Sequence, residues 1–216
     1  MYRNTDGLNF LKSLPDRSID GIFTDPPWGG GVKIMGNDKP MDLMRALDKE
    51  CPRILKPGAR VLIWIGARQL ADFIRVFKNL EYRWMIVCQY IPARYIIKFQ
   101  AQLDPILYLS LPGEPYPNPE KSLPQIYQKV SSGRRDTLHP CSRPIKVVRK
   151  IIRDWFRPGE YIIDPFAGSD TVGVACREIA IQADTCEIDP KMYEYGQKRN
   201  SQGFLFESVE TERCKI

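Results

Sequence analysis

The feature that most constrains the fold of this chain is the alternation in its last third. Residues 161–163 read as a strand, a turn around Gly168 follows, and residues 171–179 show helical spacing. Residues 185–188 then read as a strand and 192–199 as a helix. Strands that alternate with helices argue for an open, mostly parallel sheet covered on both faces. The first half agrees. A strand at 21–24 stops at Asp25-Pro26-Pro27-Trp28, where the prolines cannot donate to a sheet ladder. Leu43, Leu47, Cys51, Ile54 and Leu55 space a helix over 42–55 that ends at Lys56-Pro57-Gly58, and 60–65 is a continuous β-type run. A helix at 69–78 and strands at 84–91 and 105–111 follow. The expected fold is α/β, a Rossmann-like doubly wound, mostly parallel sheet of about seven strands in a single domain over residues 1–216.

Composition excludes several function classes. No apolar run approaches the ~20 residues of a bilayer span, and the opening Met1-Tyr2-Arg3-Asn4 lacks a signal-peptide core, so a cytoplasmic protein without a membrane partner is expected. The six cysteines form no CxxC pair and His139 is the one histidine, which removes the donors of a Cys/His zinc site; no metal is expected. His139-Pro140-Cys141 would also have to supply base and nucleophile from one rigid turn, which argues against a triad hydrolase. The net charge of +6 resides in residues 131–158, where Arg134, Arg135, Arg143, Lys146, Arg149, Lys150, Arg153 and Arg157 face only Asp136 and Asp154. Such a cluster suits a polyanion such as nucleic acid, or else is the solvated face of a helix at 144–156 whose other face carries Ile145, Val148, Ile152 and Trp155. Five prolines between Leu111 and Pro124 mark an irregular excursion that cannot be a helix or a central strand.

Two stretches carry chemistry. The first runs from Tyr161 through Asp164-Pro165-Phe166-Ala167-Gly168-Ser169-Asp170-Thr171, with the strand-terminal acid Glu187 lying 23 residues beyond Asp164. In a doubly wound sheet this places a nucleoside-containing cofactor at the strand carboxyl ends, with the later acid on its ribose hydroxyls. No Gly-Lys-Ser/Thr follows, so it is not a P-loop, and Gly168 and Gly173 alone do not make GxGxxG. Asp164 and Asp170 would repel a pyrophosphate but suit a cofactor with a cationic end; S-adenosylmethionine, with a ribose, a sulfonium and an ammonium, fits. The alternative is a purely structural turn. The second stretch is Thr24-Asp25-Pro26-Pro27-Trp28. Its prolines stiffen the backbone, so Asp25 and the Pro26 carbonyl can each accept an N–H of an exocyclic amine while Trp28 stacks on the ring. A capped turn with a core Trp is the alternative there.

Together these stretches resemble the S-adenosylmethionine-dependent amino-methyltransferases of nucleic-acid bases. Asp25-Pro26-Pro27-Trp28 is similar to their catalytic (D/N/S)PP(Y/F/W) tetrapeptide, and Asp164 to Thr171 to their DPFxGSGT loop. The tetrapeptide comes first, as in the circularly permuted β class of DNA methyltransferases. His139-Pro140-Cys141-Ser142-Arg143-Pro144 resembles the HPxxKP element of that class, and Asn4-Thr5-Asp6 to Leu14-Pro15 its opening GD-xx-LxxLP stretch. The resemblance covers all but residues 111–138 and the tail after Arg199. It implies a methyltransferase-type fold and catalytic roles for Asp25, Pro26, Pro27 and Trp28. It also implies S-adenosylmethionine held by Asp6, His139, Cys141, Arg143, Asp164, Pro165, Phe166, Ala167, Gly168, Ser169, Thr171, Glu187 and Asp189. Lys33, Arg134 and Arg135 would face the substrate. Asp170 stands where the family has glycine and Arg143 where it has lysine.

In the family, Asp in the first tetrapeptide position goes mainly with adenine and Ser with cytosine, so the implied target is the N6 amine of adenine in DNA, flipped out or already unpaired. N4-cytosine, an RNA substrate and a non-catalytic nucleic-acid-binding relic are the alternatives; a nicotinamide dehydrogenase leaves the tetrapeptide without a role. Family members carry a target-recognition domain where this chain has a short Pro-rich and basic insertion at about 111–138, too little for a core of its own. A short target, relaxed specificity, a homodimer or a partner subunit would each reconcile the two.

Overall fold

A computed structural model of the chain describes residues 1–28, 40–96, 99–116, 122–130 and 143–210. Its strands are β1 (Tyr2–Asn4), β2 (Ile19–Thr24), β3 (Leu55–Trp64), β4 (Glu81–Ile96), β5 (Phe99–Ser110), β6 (Ile126–Val130), β7 (Tyr161–Asp164) and β8 (Gln182–Glu187). Its helices are α1 (Gly7–Ser13), α2 (Pro40–Ile54), α3 (Leu70–Val76), α4 (Ile145–Trp155), α5 (Thr171–Glu178) and α6 (Pro190–Glu210). One sheet joins all eight strands in the order β1-β8-β7-β2-β3-β5-β4-β6. Among the described residues β5 alone runs against the rest.

The sheet is buried on both faces, and strand alternation sorts its side chains between two cores. In and just beyond β3, Val61, Ile63 and Ile65 join Ile22, Ile163 and Leu107 against Leu11, Leu47, Cys51 and Phe73 of α1, α2 and α3. Leu62 and Trp64 point the other way, joining Phe23, Ile162 and Tyr108 against Val148, Ile152, Trp155 and Ala175 of α4 and α5. The β2–α2–β3 crossover thus covers one face and the β7–α5–β8 crossover the other. They diverge from the neighbouring strands β2 and β7, so the carboxyl ends of that pair form the topological switch point where ligands of doubly wound sheets bind.

The sheet has eight strands rather than about seven. The strands not read from the sequence are β1 and β6; β6 lies in the 111–138 insertion just beyond its last proline, Pro124, where Ile126-Tyr127-Gln128-Lys129-Val130 pairs in parallel with the edge of β4. Tyr127 turns into the core while Ile126 stays exposed, as alternation requires. A further difference lies at Lys56-Pro57-Gly58. There β3 begins at Leu55 opposite Ile19 and resumes with Arg60 opposite Gly21, so the expected helix stop is a bulge within the strand. No helix among the described residues is long and apolar enough to cross a membrane.

Candidate active site

Four acids are brought to one edge of the sheet by four parallel strands. Asp6 follows β1, Glu187 ends β8, Asp164 ends β7 and Asp25 follows β2. The two chemical stretches are joined directly, because the Thr24 hydroxyl donates to Asp164 Oδ1 at 2.6 Å in the buried interior. Asp164 also accepts the Phe166 N–H at 3.0 Å. Burial nonetheless pushes its carboxyl up to about 8, outweighing both hydrogen bonds.

Beyond Asp164 the loop is tied down from several sides. The Ala167 N–H reaches the Cys186 carbonyl at 2.8 Å, and the Gly168 N–H reaches Glu187 Oε2 at 2.8 Å. Gly168 has φ +52°, which favours glycine, and no atom of the described residues lies within 4 Å of where a Cβ would project, so among them the loop opens onto free space there. Glu187 accepts the Asp189 N–H at 2.8 Å through its other oxygen; burial raises its pKa against these backbone donors. Asp189 accepts the Lys191 and Met192 N–H groups of α6, and Asp6 accepts the Asn9 N–H and caps α1. Asn4 and Thr5 both donate to the Glu187 carbonyl, which holds the start of the chain beside the loop. Pro165, Phe166, Ala167, Gly168, Ser169 and Thr171 therefore lie with Asp6, Asp164, Glu187 and Asp189 in one region.

Asp170 occupies the left-handed region (φ 59°, ψ 38°), which explains why glycine serves there and why Asp, which tolerates that region better than most residues, can replace it. Its carboxylate is fully buried. It accepts from Thr185 Oγ1 at 2.6 Å, Asn200 Nδ2 at 2.8 Å and Arg177 Nη2 at 3.3 Å. Arg199 completes this fastening, donating to Ser169 Oγ at 3.0 Å and Thr171 Oγ1 at 2.8 Å.

At the tetrapeptide, Pro26 is buried while Asp25, Pro27 and Trp28 are partly exposed. The structure sets Arg143 here and not on the 164–171 loop. Its Nε and Nη2 donate to the two Asp25 oxygens at 2.6 and 2.9 Å, and its Nη1 donates to Asp104 Oδ2 at 3.1 Å. Its Cζ lies 4.5 Å from the Trp28 ring centre and 5.0 Å from that of Trp64. Burial disfavours the guanidinium charge, but Asp25, Tyr90 and Asp104 outweigh it and hold Arg143 protonated. Burial in turn raises Asp25, with Arg143 pulling back. Asp104 is buried and also accepts from the Tyr90 hydroxyl at 2.7 Å and Trp64 Nε1 at 3.4 Å. Lys33, Arg134, Arg135, His139 and Cys141 lie outside the described residues.

Sequence reasoning does not single out Asp104, Tyr90, Trp64 or Arg199. A signal exists for the first: Asp104 is a lone acid leading the apolar run Pro105 to Leu109. Because β5 is antiparallel, that beginning lies at the same edge as the carboxyl ends of its neighbours.

The doubly wound sheet carries an acid-lined loop and a Pro-Pro-stiffened carboxylate at its switch point, the place where sheets of this class bind their ligands. The DNA methylase family model, that of the N6 and N4 amino-methyltransferases, matches residues 19–198, and the chain belongs to this family of S-adenosylmethionine-dependent enzymes. The DNA adenine methyltransferase YhdJ of Escherichia coli K12 is 25% identical over 90% of this chain and 80% of its own length. Among solved structures, the M1.HpyAVI–SAM complex aligns with a TM-score of 0.73 at 19% identity, over 92% of this chain and 98% of that one. PvuII DNA methyltransferase, described as cytosine-N4-specific, aligns with a TM-score of 0.70 at 18% identity, over 92% and 85%.

Proposed function

We propose that this protein transfers a methyl group from S-adenosylmethionine to the exocyclic N6 amine of adenine in DNA. The observation that carries this reading is the 2.6 Å bond from Thr24 to Asp164, which sets the amine-accepting tetrapeptide one strand from the acid-lined loop. The free space at Gly168 supports a cofactor there; Glu187, which accepts the Gly168 and Asp189 N–H groups, and Asp189 are its proposed ribose partners, and the acids of the region suit a cationic end. When bound, the cofactor supplies an electrophilic methyl on a sulfonium.

The remaining work falls to the chain. An aromatic amine is a poor nucleophile because its lone pair is delocalised into the ring. Asp25 and the Pro26 carbonyl accept its two N–H groups, favour a pyramidal nitrogen and stabilise the positive charge that grows as the N–C bond forms. Trp28 flanks the ring, the surplus proton leaves to solvent, and most of the acceleration comes from in-line positioning. The base reaches this pocket only when flipped out or unpaired. Lys33, Arg134 and Arg135 bind the backbone, and the 111–138 insertion stands in the place of a recognition domain.

Adenine is favoured over cytosine by Asp at the first tetrapeptide position, which this chain shares with the adenine-directed members it resembles. A catalytic protein is favoured over a relic because the buried Asp170 charge is satisfied inside the fold by Thr185, Asn200 and Arg177. The test is incubation with labelled S-adenosylmethionine and DNA or RNA, followed by mass spectrometry of the nucleosides. N6-methyladenine from DNA is expected; N4-methylcytosine would reassign the base, product in RNA alone would reassign the substrate, and no product in either would overturn the reading.

A further inference from the structure

Arg143 makes with Asp25 and Trp28 the contacts that a flat, amine-bearing base would need. Its guanidinium places two N–H groups on the two Asp25 oxygens and lies over the Trp28 indole. The indole cannot swing aside to make room for both. Its Nε1 is committed to the Trp64 carbonyl at 3.3 Å, and it packs so tightly on Gly66 that a Cβ there would come within 2.8 Å. We infer that Arg143 occupies the seat of the target amine in the DNA-free protein, and that an incoming base displaces it from Asp25 onto Asp104. This rests on Asp25 being the amine acceptor.

The displacement has a built route. Asp104 already holds Nη1 at 3.1 Å and is itself fixed by Tyr90 and Trp64, so the guanidinium can pivot about that contact and release Asp25 without becoming an unpaired buried charge. The side chain of Asp25 is 28% exposed against 13% for Arg143, so the carboxylate keeps an open side from which the amine arrives. Lysine, the family's residue at this position, is a compact ammonium that can neither fork across two oxygens nor stack on an indole in this way. The competition therefore belongs to this chain, and it sets how strongly the seat discriminates a base that donates two N–H groups from one that does not.

The test compares binding of a short single-stranded deoxyadenosine oligomer with binding of an abasic oligomer of equal length, with S-adenosylhomocysteine present to prevent turnover. Backbone contacts cancel in the ratio of the two affinities, so the ratio reports the base seat. Arg143→Lys should raise the preference for the base about tenfold, the worth of one competing charged hydrogen bond. Asp104→Asn, which removes the receiving carboxylate, should lower it about threefold. A merely structural role for Arg143 lowers the ratio in both variants and overturns the proposal, as does an unchanged ratio in Arg143→Lys. In the unmodified protein, the Arg143 Nε resonance should move with the adenine oligomer and stay put with the abasic one; an unmoved resonance also overturns it. If methylated adenine forms while these readouts fail, only the displacement is wrong. If wild type prefers no base and methylates none, the assignment of Asp25 is wrong as well.

Discussion

Asp25 holds Arg143 in this structure, and the amine-accepting role proposed for it is separable from the roles proposed for the loop acids. Asp25→Ala should lower methyl transfer about 10²–10³-fold, the usual cost of one lost transition-state partner. Cofactor affinity by calorimetry should stay close to wild type, since no cofactor contact is assigned to this side chain. Near-normal turnover would remove Asp25 from the amine site. Glu187→Ala should show the opposite split. It deletes the acceptor of the Gly168 and Asp189 N–H groups and, on the proposed reading, the ribose partner, so cofactor affinity should fall; an unaltered affinity would place the cofactor elsewhere. Asp164 links the two stretches and carries a pH signature. Its carboxyl is raised from 3.8 to about 8 in the fold, so its favourable contribution is complete below about pH 4, where both states hold the proton. That contribution is lost as pH rises through about 8, where the folded state must ionise a buried group. Asp164→Asn should therefore gain stability relative to wild type between pH 5 and 8 in urea titrations, and a constant difference over that range would refute the assignment.

Elements divide into those that declare themselves locally and those that depend on distant partners. The continuous β-type run at 60–65 and the amphipathic spacing of α4 are local, and so is the placement of both chemical stretches directly after strands; all are legible in the sequence. β1 and β6 are short edge strands whose pairing partners, β8 and β4, lie far along the chain or beyond a Pro-rich stretch, so local pattern does not reveal them. The role of α6 is equally long-range. Asn200 and Arg199 reach back some thirty residues to Asp170, Ser169 and Thr171 and clasp the loop against β8. Within that clasp Asp170 contributes both hydrogen bonds and a left-handed backbone. Asp170→Gly gives up the bonds but frees the left-handed backbone of a Cβ, whereas Asp170→Ala gives up the same bonds and keeps a Cβ in a region L-residues avoid. The alanine variant should be less stable than the glycine variant by about 1 kcal/mol in thermal unfolding. Equal stabilities would mean that the backbone relaxes on losing the carboxylate.

At the scale of the molecule, one sheet edge collects Asp6, Asp25, Asp164 and Glu187, the acids proposed to address a cationic cofactor and an amine, while the surplus positive charge is confined to residues 131–158. That separation suits a polyanionic substrate, whose backbone is drawn to the basic segment while its base enters among carboxylates. Part of the basic segment is already spent within the fold: Arg149 pairs with Glu178 of α5 and Lys150 with Asp154. These two cations are therefore weak candidates for phosphate contacts, and the reading of the α4 face as ordinary solvated surface gains ground for them. Arg134 and Arg135, in the insertion that stands for a recognition domain, are the stronger candidates. If they touch phosphates, DNA binding should weaken steeply with salt, each neutralised phosphate adding roughly −0.9 to the slope of log affinity against log salt on duplex DNA. Changing both to alanine should then lower that slope by about 1–2 and weaken all sequences alike, because phosphate contacts carry no sequence information. Arg149→Ala should leave the slope where it is. A double variant with an unaltered slope would return Arg134 and Arg135 to the solvated surface, whereas loss confined to one sequence would make them readers of bases.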